Sequence, residues 1–163
     1  MTILWTQMKG FNRYSVSETG LIRHDEHDRV LTQFRNYLGF VYVCLYRDGR
    51  NLKRGVAKIV ADHYLDPDPM ESFDTPINLD GDRGNNEVYN LMWRPRWFAL
   101  LYHKQFEEEL ISDRSVMEVN TGAYFADALV AASCYGLLTN KLITSTIRKE
   151  PVWPTQNKFR FVS

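Results

Sequence analysis

Residues 77–93 read Ile-Asn-Leu-Asp-Gly-Asp-Arg-Gly-Asn-Asn-Glu-Val-Tyr-Asn-Leu-Met-Trp, and this is the most informative stretch of the chain. Asp80-Gly81 predicts a tight turn, because Asp hydrogen-bonds to its own backbone and Gly tolerates left-handed φ values. Asn85-Asn86 predicts a polar loop, and Asn90-Leu91 with Trp93 predicts the start of a helix. The stretch therefore predicts a turn and a polar loop that lead into a helix.

This pattern resembles the core of the HNH homing endonucleases of phage introns. In that family the core is a β-hairpin packed on a helix around one divalent metal, and a His at the end of the first strand activates water. Such hydrolysis needs a general base and a metal ion. The resemblance implies a ββα-metal core over residues 56–99, in which Asn90 orients the base through its amide.

The positions that hold the chemistry in the resembled family carry other residues here. Ile77 stands where a metal-binding carboxylate or amide is expected, Asn78 where the general-base His is expected, and Ala99 where a second metal ligand is expected. Ala57 replaces the His of the helix motif Val-His-Arg-Leu-Val-Ala. Isoleucine and alanine offer no lone pair to Mg²⁺, and an amide does not titrate near neutrality. The sequence predicts a degenerate core with only Asn90 retained, without metal ligands or a cofactor.

Other side chains leave open a metal site rebuilt from different residues. Asp74, Asp80, Asp82 or His103 could hold Mg²⁺ in an active endonuclease. Asp80 is explained by the predicted turn, and Asp74 precedes Thr75-Pro76, which is restricted away from helix. Structural roles therefore account for these carboxylates.

Residues 1–55 are predicted to form a small β module. Trp5, Tyr14 and Val16-Ser17, followed by a Thr19-Gly20 turn, predict short strands. They resemble the Trp to Tyr-x-Val-Ser-x-x-Gly module that precedes HNH domains in phage endonucleases. Phe40–Tyr46 predicts a strand that Asp48-Gly49 turns toward a basic return strand, residues 50–54. The hairpin cations are either candidate DNA-backbone contacts or ordinary exposed residues: Arg47, Arg50, Lys53 and Arg54.

Two helical segments are predicted in the middle of the chain. Val56–Leu65 has helical spacing of apolar residues and ends before Asp66-Pro67. Residues 94–118 are predicted to be helical, with residues 100–118 as a linker. The apolar stripe of this helix is predicted at Trp97, Leu100, Leu101 and Phe106, and its acidic face at Glu107-Glu108-Glu109.

Residues 119–163 are predicted to form a helix-turn-helix module. Residues 119–125 predict a short strand and turn, residues 126–135 a helix, and Thr139–Arg148 a second helix capped by Thr139. The order resembles the C-terminal helix-turn-helix repeat of intron-encoded nucleases, including a closing aromatic strand, residues 153–161. In that module the second helix enters the major groove, and a helical hairpin that packs internally is the alternative. The candidate DNA contacts are Asn140, Lys141, Thr144, Ser145 and Arg148.

Composition and charge bear on compartment and partners. No apolar run approaches the roughly eighteen residues of a spanning helix, which predicts a soluble, cytoplasmic protein without a membrane partner. Cys44 and Cys134 are predicted core thiols. The net charge is zero, but residues 1–60, 61–119 and 120–163 carry +5, −8 and +3. Basic ends suit DNA phosphates, whereas the acidic middle suits a phage or host protein partner or a solvated face.

Together these features predict an α+β fold: a small N-terminal β module, a degenerate HNH core, a helical linker and a C-terminal helix-turn-helix. The function they favour is a catalytically inactive phage or mobile-element protein, repurposed as an accessory or regulatory factor that binds double-stranded DNA. One alternative is a structural or assembly subunit of a larger phage complex. The other is an active metal-dependent endonuclease. The protein is expected in the cytoplasm of an infected bacterium or in a phage particle.

Overall fold

The computed structural model describes residues 2–107 and 114–162. The chain divides into two compact units, the first comprising Met1–Asn78 and Asp82–Arg96, and the second Leu79–Gly81 and Trp97–Ser163. Both units mix helices with short antiparallel strands, so the expected combination of α and β structure is confirmed. No helix among the described residues is long and apolar enough to cross a membrane. The finer division into four modules stays a prediction.

A four-stranded antiparallel sheet opens the first unit. Its strands follow chain order: β1 (Trp5–Gln7), β2 (Tyr14–Ser17), β3 (Ile22–His24) and β4 (Arg29–Val30). Strand β2 is buried along its whole length, since it lies between two neighbours and packs on the core. The short strands expected on either side of Thr19-Gly20 are therefore present.

The predicted basic hairpin forms two of the three strands of a second sheet. It joins β5 (Phe34–Arg35), β6 (Val41–Arg47) and β7 (Arg50–Gly55), with β6 in the middle. The two turn residues, Asp48 and Gly49, have φ values of 51° and 74°. Positive φ at both positions gives a turn whose twist matches that of the strands, which explains why Asp-Gly specifies this hairpin.

Helix α1 (Val56–Tyr64) packs with its apolar side against the core of the first unit. Val56, Ile59, Val60 and Ala61 are buried in the core, each large aliphatic side chain contributing roughly 1.5–3 kcal/mol. The Tyr64 hydroxyl donates to the backbone carbonyl of Val16 at 2.7 Å, which ties the helix to the first sheet. The prediction over residues 56–65 is thus confirmed.

A small hairpin of β8 (Thr75–Asn78) and β9 (Leu91–Arg94) completes the first unit. Ile77 pairs with Met92, and Asn78 pairs with Leu91. A 3-10 turn, Val88–Asn90, precedes β9. The expectation of a helix start at Asn90-Leu91 and Trp93 is wrong, because these residues complete the hairpin and α2 (Arg96–Lys104) begins after it.

The second unit is built from α2, the helices α3 (Ala128–Tyr135) and α4 (Thr139–Arg148), and a three-stranded sheet. That sheet has the order β11 (Tyr124–Phe125), β10 (Val116–Glu118) and β12 (Phe159–Phe161). Helices α3 and α4 share an apolar core with it, formed by Val116, Ala128, Ala131, Ala132, Leu137, Leu142, Val152 and Phe159.

Residues 94–118 depart from the single long helix that their pattern predicts. Helix α2 ends at Lys104, and Val116–Glu118 form the central strand of a sheet. The predicted apolar stripe is also wrong, because Trp97, Leu100 and Leu101 are 55%, 60% and 50% exposed. The buried side chains are instead Phe98, Ala99, Tyr102 and His103. Of the acidic face, Glu107 is exposed, while Glu108 and Glu109 lie outside the described residues.

The two C-terminal helices form as predicted, except that α3 begins at Ala128 and not at residue 126, and that Thr139 does not cap α4. Asp127 caps α3 by accepting from the Val130 amide at 2.9 Å, and Gly136 ends the helix at φ 63°. The predicted Thr139 cap is wrong, since Leu138 occupies the cap position and Thr139 is fully buried. The Thr139 amide donates to Oε1 of Gln105 at 2.9 Å. Cys134 is exposed on α3, so it is not the core thiol expected.

A buried carboxylate, Glu118, organises the second unit. Burial opposes its ionisation, but hydrogen bonds from Thr121, Asn120 and Asn157 outweigh that effect and hold its pKa below the ordinary 4.5. The amide and hydroxyl of Thr121 donate to Oε2 at 2.7 and 2.8 Å. The ionised carboxylate therefore fixes the turn after β10.

We expect Glu118→Gln to destabilise the protein by about 2 kcal/mol at neutral pH, because an amide replaces a charged acceptor. A lowered folded pKa gives stability that is present above the ordinary value and is lost as the pH falls through the folded value. The difference between the two proteins should therefore shrink in acid. Urea denaturation as a function of pH measures it, with the exposed Glu150→Gln as control; a gap independent of pH would contradict the assignment.

Gly81, in the predicted turn, occupies a position that no larger residue fits. Its φ is +80°, and an added Cβ would overlap the Phe106 ring. We expect Gly81→Ala to cost about 2 kcal/mol or more in the free energy of unfolding. Gly122→Ala is the matched control, because Gly122 has φ +72° and a Cβ added there would meet nothing within 4 Å. Equal losses in urea denaturation would show that the ring contact contributes nothing.

Candidate catalytic core and nucleic-acid interface

Asn78, at the position of the expected general base, is part of a buried amide network. It ends β8 and is 3% exposed. Its Nδ2 donates to the Asn85 carbonyl at 2.8 Å and to Oδ1 of Asn86 at 2.9 Å. Asn90 also donates its Nδ2 to the Asn85 carbonyl, at 2.8 Å. The two amides thus hold the polar loop against the hairpin, which the predicted loop at Asn85-Asn86 did not reveal.

The other degenerate positions are filled by packed hydrocarbon. Ile77 is fully buried, Ala99 is 5% exposed, and Ala57 packs against the core of the first unit. Oxygen ligands in near-octahedral array are what Mg²⁺ requires. Neither Ile77 nor Ala99 offers a lone pair, and the Asn78 amide is committed to the loop, so these residues do not fit the divalent metal that the resemblance implies.

The side chains considered for a rebuilt metal site have other contacts. Asp74 accepts from the Thr75 hydroxyl at 2.9 Å, and the His103 ring Nδ1 lies 3.0 Å from the Ala99 carbonyl. Asp80 is exposed in its turn. Within residues 2–107 and 114–162, the three-donor grouping of His, Cys, Asp or Glu consists of His24, Glu26 and His27. None of the rebuilt-site candidates belongs to it.

Asp82 serves the loop as a hydrogen-bond acceptor. Its Oδ1 accepts from the Gly84 amide at 2.8 Å and from Nη2 of Arg35 at 3.0 Å. The hydrogen bond from the Gly84 amide lowers the pKa of Asp82. Burial has a smaller, opposite effect, and the Arg35 guanidinium lowers the pKa further. This carboxylate is therefore ionised and engaged in loop structure.

The cations of the β6–β7 hairpin do not all share one face. Directly opposite residues of an antiparallel pair point to the same side. Arg47 pairs with Arg50, and Val43 pairs with Arg54, so these three arginines share the side of buried Val43. Lys53 points to the other side, where its Nζ lies 5.2 Å from the centroid of the Tyr42 ring.

The Phe11 ring gathers two of these arginines. The guanidinium carbons of Arg47 and Arg54 lie 4.7 and 5.8 Å from its centroid. Arg47 also donates to the Gly10 carbonyl at 3.1 Å. Both arginines remain exposed at their outer edges. The hairpin therefore presents a positioned pair of guanidinium groups on an aromatic support.

The predicted DNA contacts of α4 lie together on one side of the helix. Asn140, Lys141, Thr144 and Arg148 are exposed and Ser145 is half-buried, whereas Leu142 and Thr146 face the core. Helical spacing places the five candidates within a single arc. Helix α4 therefore offers one polar, basic face.

A second cationic surface in the second unit was missed from the sequence. Strand β12 and the end of α4 border a shallow cavity of about 430 Å³. The Arg114 guanidinium carbon lies 4.1 Å from the centroid of the Phe161 ring. The basic excess of residues 120–163 was the available signal, but the pairing of β10 with β12 was needed to assemble the group. Its cations are Arg114, Lys149, Lys158 and Arg160.

Comparison with known proteins adds one likeness to this geometry. No protein-family model matches the chain, and no curated protein matches it. A solved structure described as DNA binding and cleavage by the HNH homing endonuclease I-HmuI is similar to this chain. The alignment covers 98% of both chains, with a TM-score of 0.55 and 19% sequence identity. The chain has an HNH-like fold.

The HNH-like fold confirms the coarse expectation drawn from residues 77–93. At 19% identity the likeness concerns the fold alone. Ile77 and Asn78 lie on the first strand of the β8–β9 hairpin, and Asn90 lies just before the second. The likeness therefore gives the fold of this hairpin, and the chemistry of the hairpin depends on the side chains of this chain.

Proposed function

We propose that this chain is a catalytically inactive HNH homing-endonuclease-like protein of phage or mobile-element type, which binds double-stranded DNA as an accessory or regulatory factor. The observation that carries the proposal is the buried amide of Asn78 at the expected base position, donating both to the Asn85 carbonyl and to Asn86. It would act in the cytoplasm of an infected bacterium or within a phage particle.

Loss of cleavage follows from two missing chemical functions. A general base must accept a proton near neutral pH, and an amide nitrogen that donates two hydrogen bonds cannot do so. A metal must find lone pairs, and neither Ile77 nor Ala99 supplies one. Restoring only one of the two functions would leave the other absent.

DNA binding is supported by the cations that remain. Arg47 and Arg54 stand over Phe11 in the first unit, and Lys141 and Arg148 share the exposed face of α4 in the second. Contacts of Lys and Arg with phosphates release counterions and supply much of the affinity for duplex DNA. The named neighbour, I-HmuI, binds and cleaves DNA. In the proposed function the first of these activities is kept and the second is lost.

Incubation with supercoiled plasmid in Mg²⁺ or Mn²⁺ tests the loss of cleavage. We expect the plasmid to remain supercoiled at protein concentrations that retard it in a gel. Metal-dependent nicking that disappears in Asp82→Asn, but persists in the exposed control Asp66→Asn, would instead establish the active endonuclease with a rebuilt site. Nicking that both variants retain would call for the same test at Asp74, Asp80 and His103, and nicking retained there too would indicate a contaminating nuclease.

A structural or assembly subunit is the second candidate, and a specific surface favours it. Trp97, Leu100 and Leu101 form an exposed apolar face on α2. Trp97 stacks on Trp153, with ring centroids 5.7 Å apart and an interplanar angle of 16°. Clustered exposed apolar residues often mark protein interfaces. This function predicts negligible duplex binding even at low salt, and a protein complex that dissociates in Leu101→Glu but not in the polar control Lys104→Glu.

A further inference from the structure

The turn between β3 and β4 brings three potential metal ligands together. His24 ends β3, and Glu26 and His27 follow within the turn. One donor atom from each lies within 4.8 Å of the other two. The rings of His24 and His27 are stacked, with centroids 4.6 Å apart at 21°. Two imidazoles and a carboxylate thus meet on a turn of the N-terminal sheet, far along the sequence from residues 77–99.

One ring nitrogen of His24 lacks a hydrogen-bond partner among the described residues. Nδ1 of His24 is buried, and no hydrogen-bond partner for it occurs among the described residues. The ring is held by an edge contact with Tyr14, at 5.0 Å between centroids and 80° between planes. Leaving a buried polar atom unsatisfied costs roughly 1–3 kcal/mol. This independent observation suggests that the imidazole is kept for a ligand.

The backbone of the turn is already fixed on both sides. The Asp25 amide donates to the Arg13 carbonyl at 2.8 Å, and Asp28 adopts a left-handed φ of 46°. The Asp25 side chain is engaged separately, since it accepts from Ser15 at 2.9 Å and pairs with Arg23 at 3.2 Å. It therefore supports the turn, while the side chains of Glu26 and His27 remain exposed.

We propose that His24, Glu26 and His27 form a binding site for a divalent transition-metal ion that cross-links the β3–β4 turn. Two nitrogens and one oxygen suit Zn²⁺, Co²⁺, Ni²⁺ or Cu²⁺, whereas Mg²⁺ prefers oxygen ligands alone. Tetrahedral Zn²⁺ holds its ligands roughly 3.4 Å apart, so donors that now lie within 4.8 Å of one another must close by at most about 1.4 Å. The exposed side chains of Glu26 and His27 can make that movement, and water would complete the coordination.

One ion pair competes with the metal for Glu26. Its carboxylate lies 3.8 Å from Nε of Arg13, and the two side chains are 60% and 64% exposed. Exposed pairs of this kind contribute little to stability. Release of Arg13 would therefore oppose metal binding only weakly. The site lies on the N-terminal sheet, and the proposal for metal binding does not depend on the proposal for DNA binding.

Zinc titration followed on the imidazole nitrogens tests the site directly. The chain has four histidines, so long-range proton–nitrogen spectra of the tag-free protein can resolve each ring. We expect His24 and His27 to shift together and to saturate at one equivalent of Zn²⁺, while His63 and His103 stay unchanged. Absence of shifts at His24 and His27, or equal shifts at all four rings, would overturn the proposal.

Variants at the exposed ligands avoid the risk of unfolding that a His24 substitution carries. We expect Glu26→Gln to weaken Zn²⁺ binding at least about tenfold, and His27→Asn to abolish the rise in Tm that Zn²⁺ gives the wild type. Glu71→Gln is the matched control, because Glu71 is exposed elsewhere in the first unit. Wild-type affinity in both Glu26→Gln and His27→Asn would refute the site.

Discussion

Replacing Asn78 with Asp is expected to lower the free energy of unfolding of the first unit by about 3 kcal/mol. The substitution preserves shape but turns the donor into an acceptor. The new oxygen would face the Asn85 carbonyl and Oδ1 of Asn86, both of which now accept from Nδ2. Two hydrogen bonds are lost, and like partial charges meet in a buried site. Urea denaturation followed by tryptophan fluorescence measures the effect.

Asn51→Asp supplies the matched control for this change. Asn51 is exposed on β7 in the same unit, so the same substitution there meets solvent. We expect the control to stay within about 0.5 kcal/mol of the wild type. If Asn78→Asp changed the free energy of unfolding as little as Asn51→Asp, the amide network would not be holding the loop. The structural role given to Asn78 would then be wrong.

The double substitution Lys141→Ala/Arg148→Ala is expected to weaken duplex binding at least about tenfold, with the slope of log K against log salt reduced by roughly two. Both cations lie on the exposed face of α4, so their removal leaves the helix core intact. A phosphate contact affects all duplexes alike, whereas a base contact also changes the preference among sequences. Anisotropy titrations over several duplexes separate these effects.

Lys9→Ala/Arg29→Ala tests whether net charge alone explains such a loss. It removes the same charge from exposed positions outside α4 and the hairpin. Binding that falls equally in both double variants would mean that DNA responds to overall charge, and α4 would not be a reading helix. Retained affinity in the control, with loss in the α4 variant, locates the contact.

Local sequence signals predicted the elements whose stability is itself local. Asp48-Gly49 predicts its hairpin because both residues accept positive φ, and Val56–Tyr64 forms the helix that its apolar spacing indicates. The turn at Asp80-Gly81 is likewise local, because Gly81 adopts a φ of 80°. In each case the determinants lie within a few residues of one another, where a sequence pattern can report them.

The errors arose where distant residues determine the structure. Helix α2 carries aromatic and aliphatic residues on all of its sides. Their periodicity therefore did not show that Phe98 and Tyr102 face inward while Leu100 and Leu101 face solvent. Val116–Glu118 forms a strand because it pairs with Phe159–Phe161, more than forty residues away. The strand propensity of these residues alone does not predict that pairing.

The candidate site divides in the same way. The side chains missing at Ile77, Asn78 and Ala99 could be read directly, because a lone pair is a property of the residue. The new role of Asn78 could not, since it depends on the Asn85 carbonyl being brought to it by the folded loop. The cations around Arg114 and Arg160 likewise assemble only in the folded sheet.

Fluorescence anisotropy of labelled duplex DNA with Mg²⁺ present, at about 50 and 200 mM salt, tests whether the chain binds DNA without cleaving it. We expect saturable binding at low salt that weakens by about 10³-fold at the higher salt if six phosphates are contacted, with the DNA recovered intact on a denaturing gel. Absence of binding even at low salt, or recovery of cleaved DNA, would contradict it.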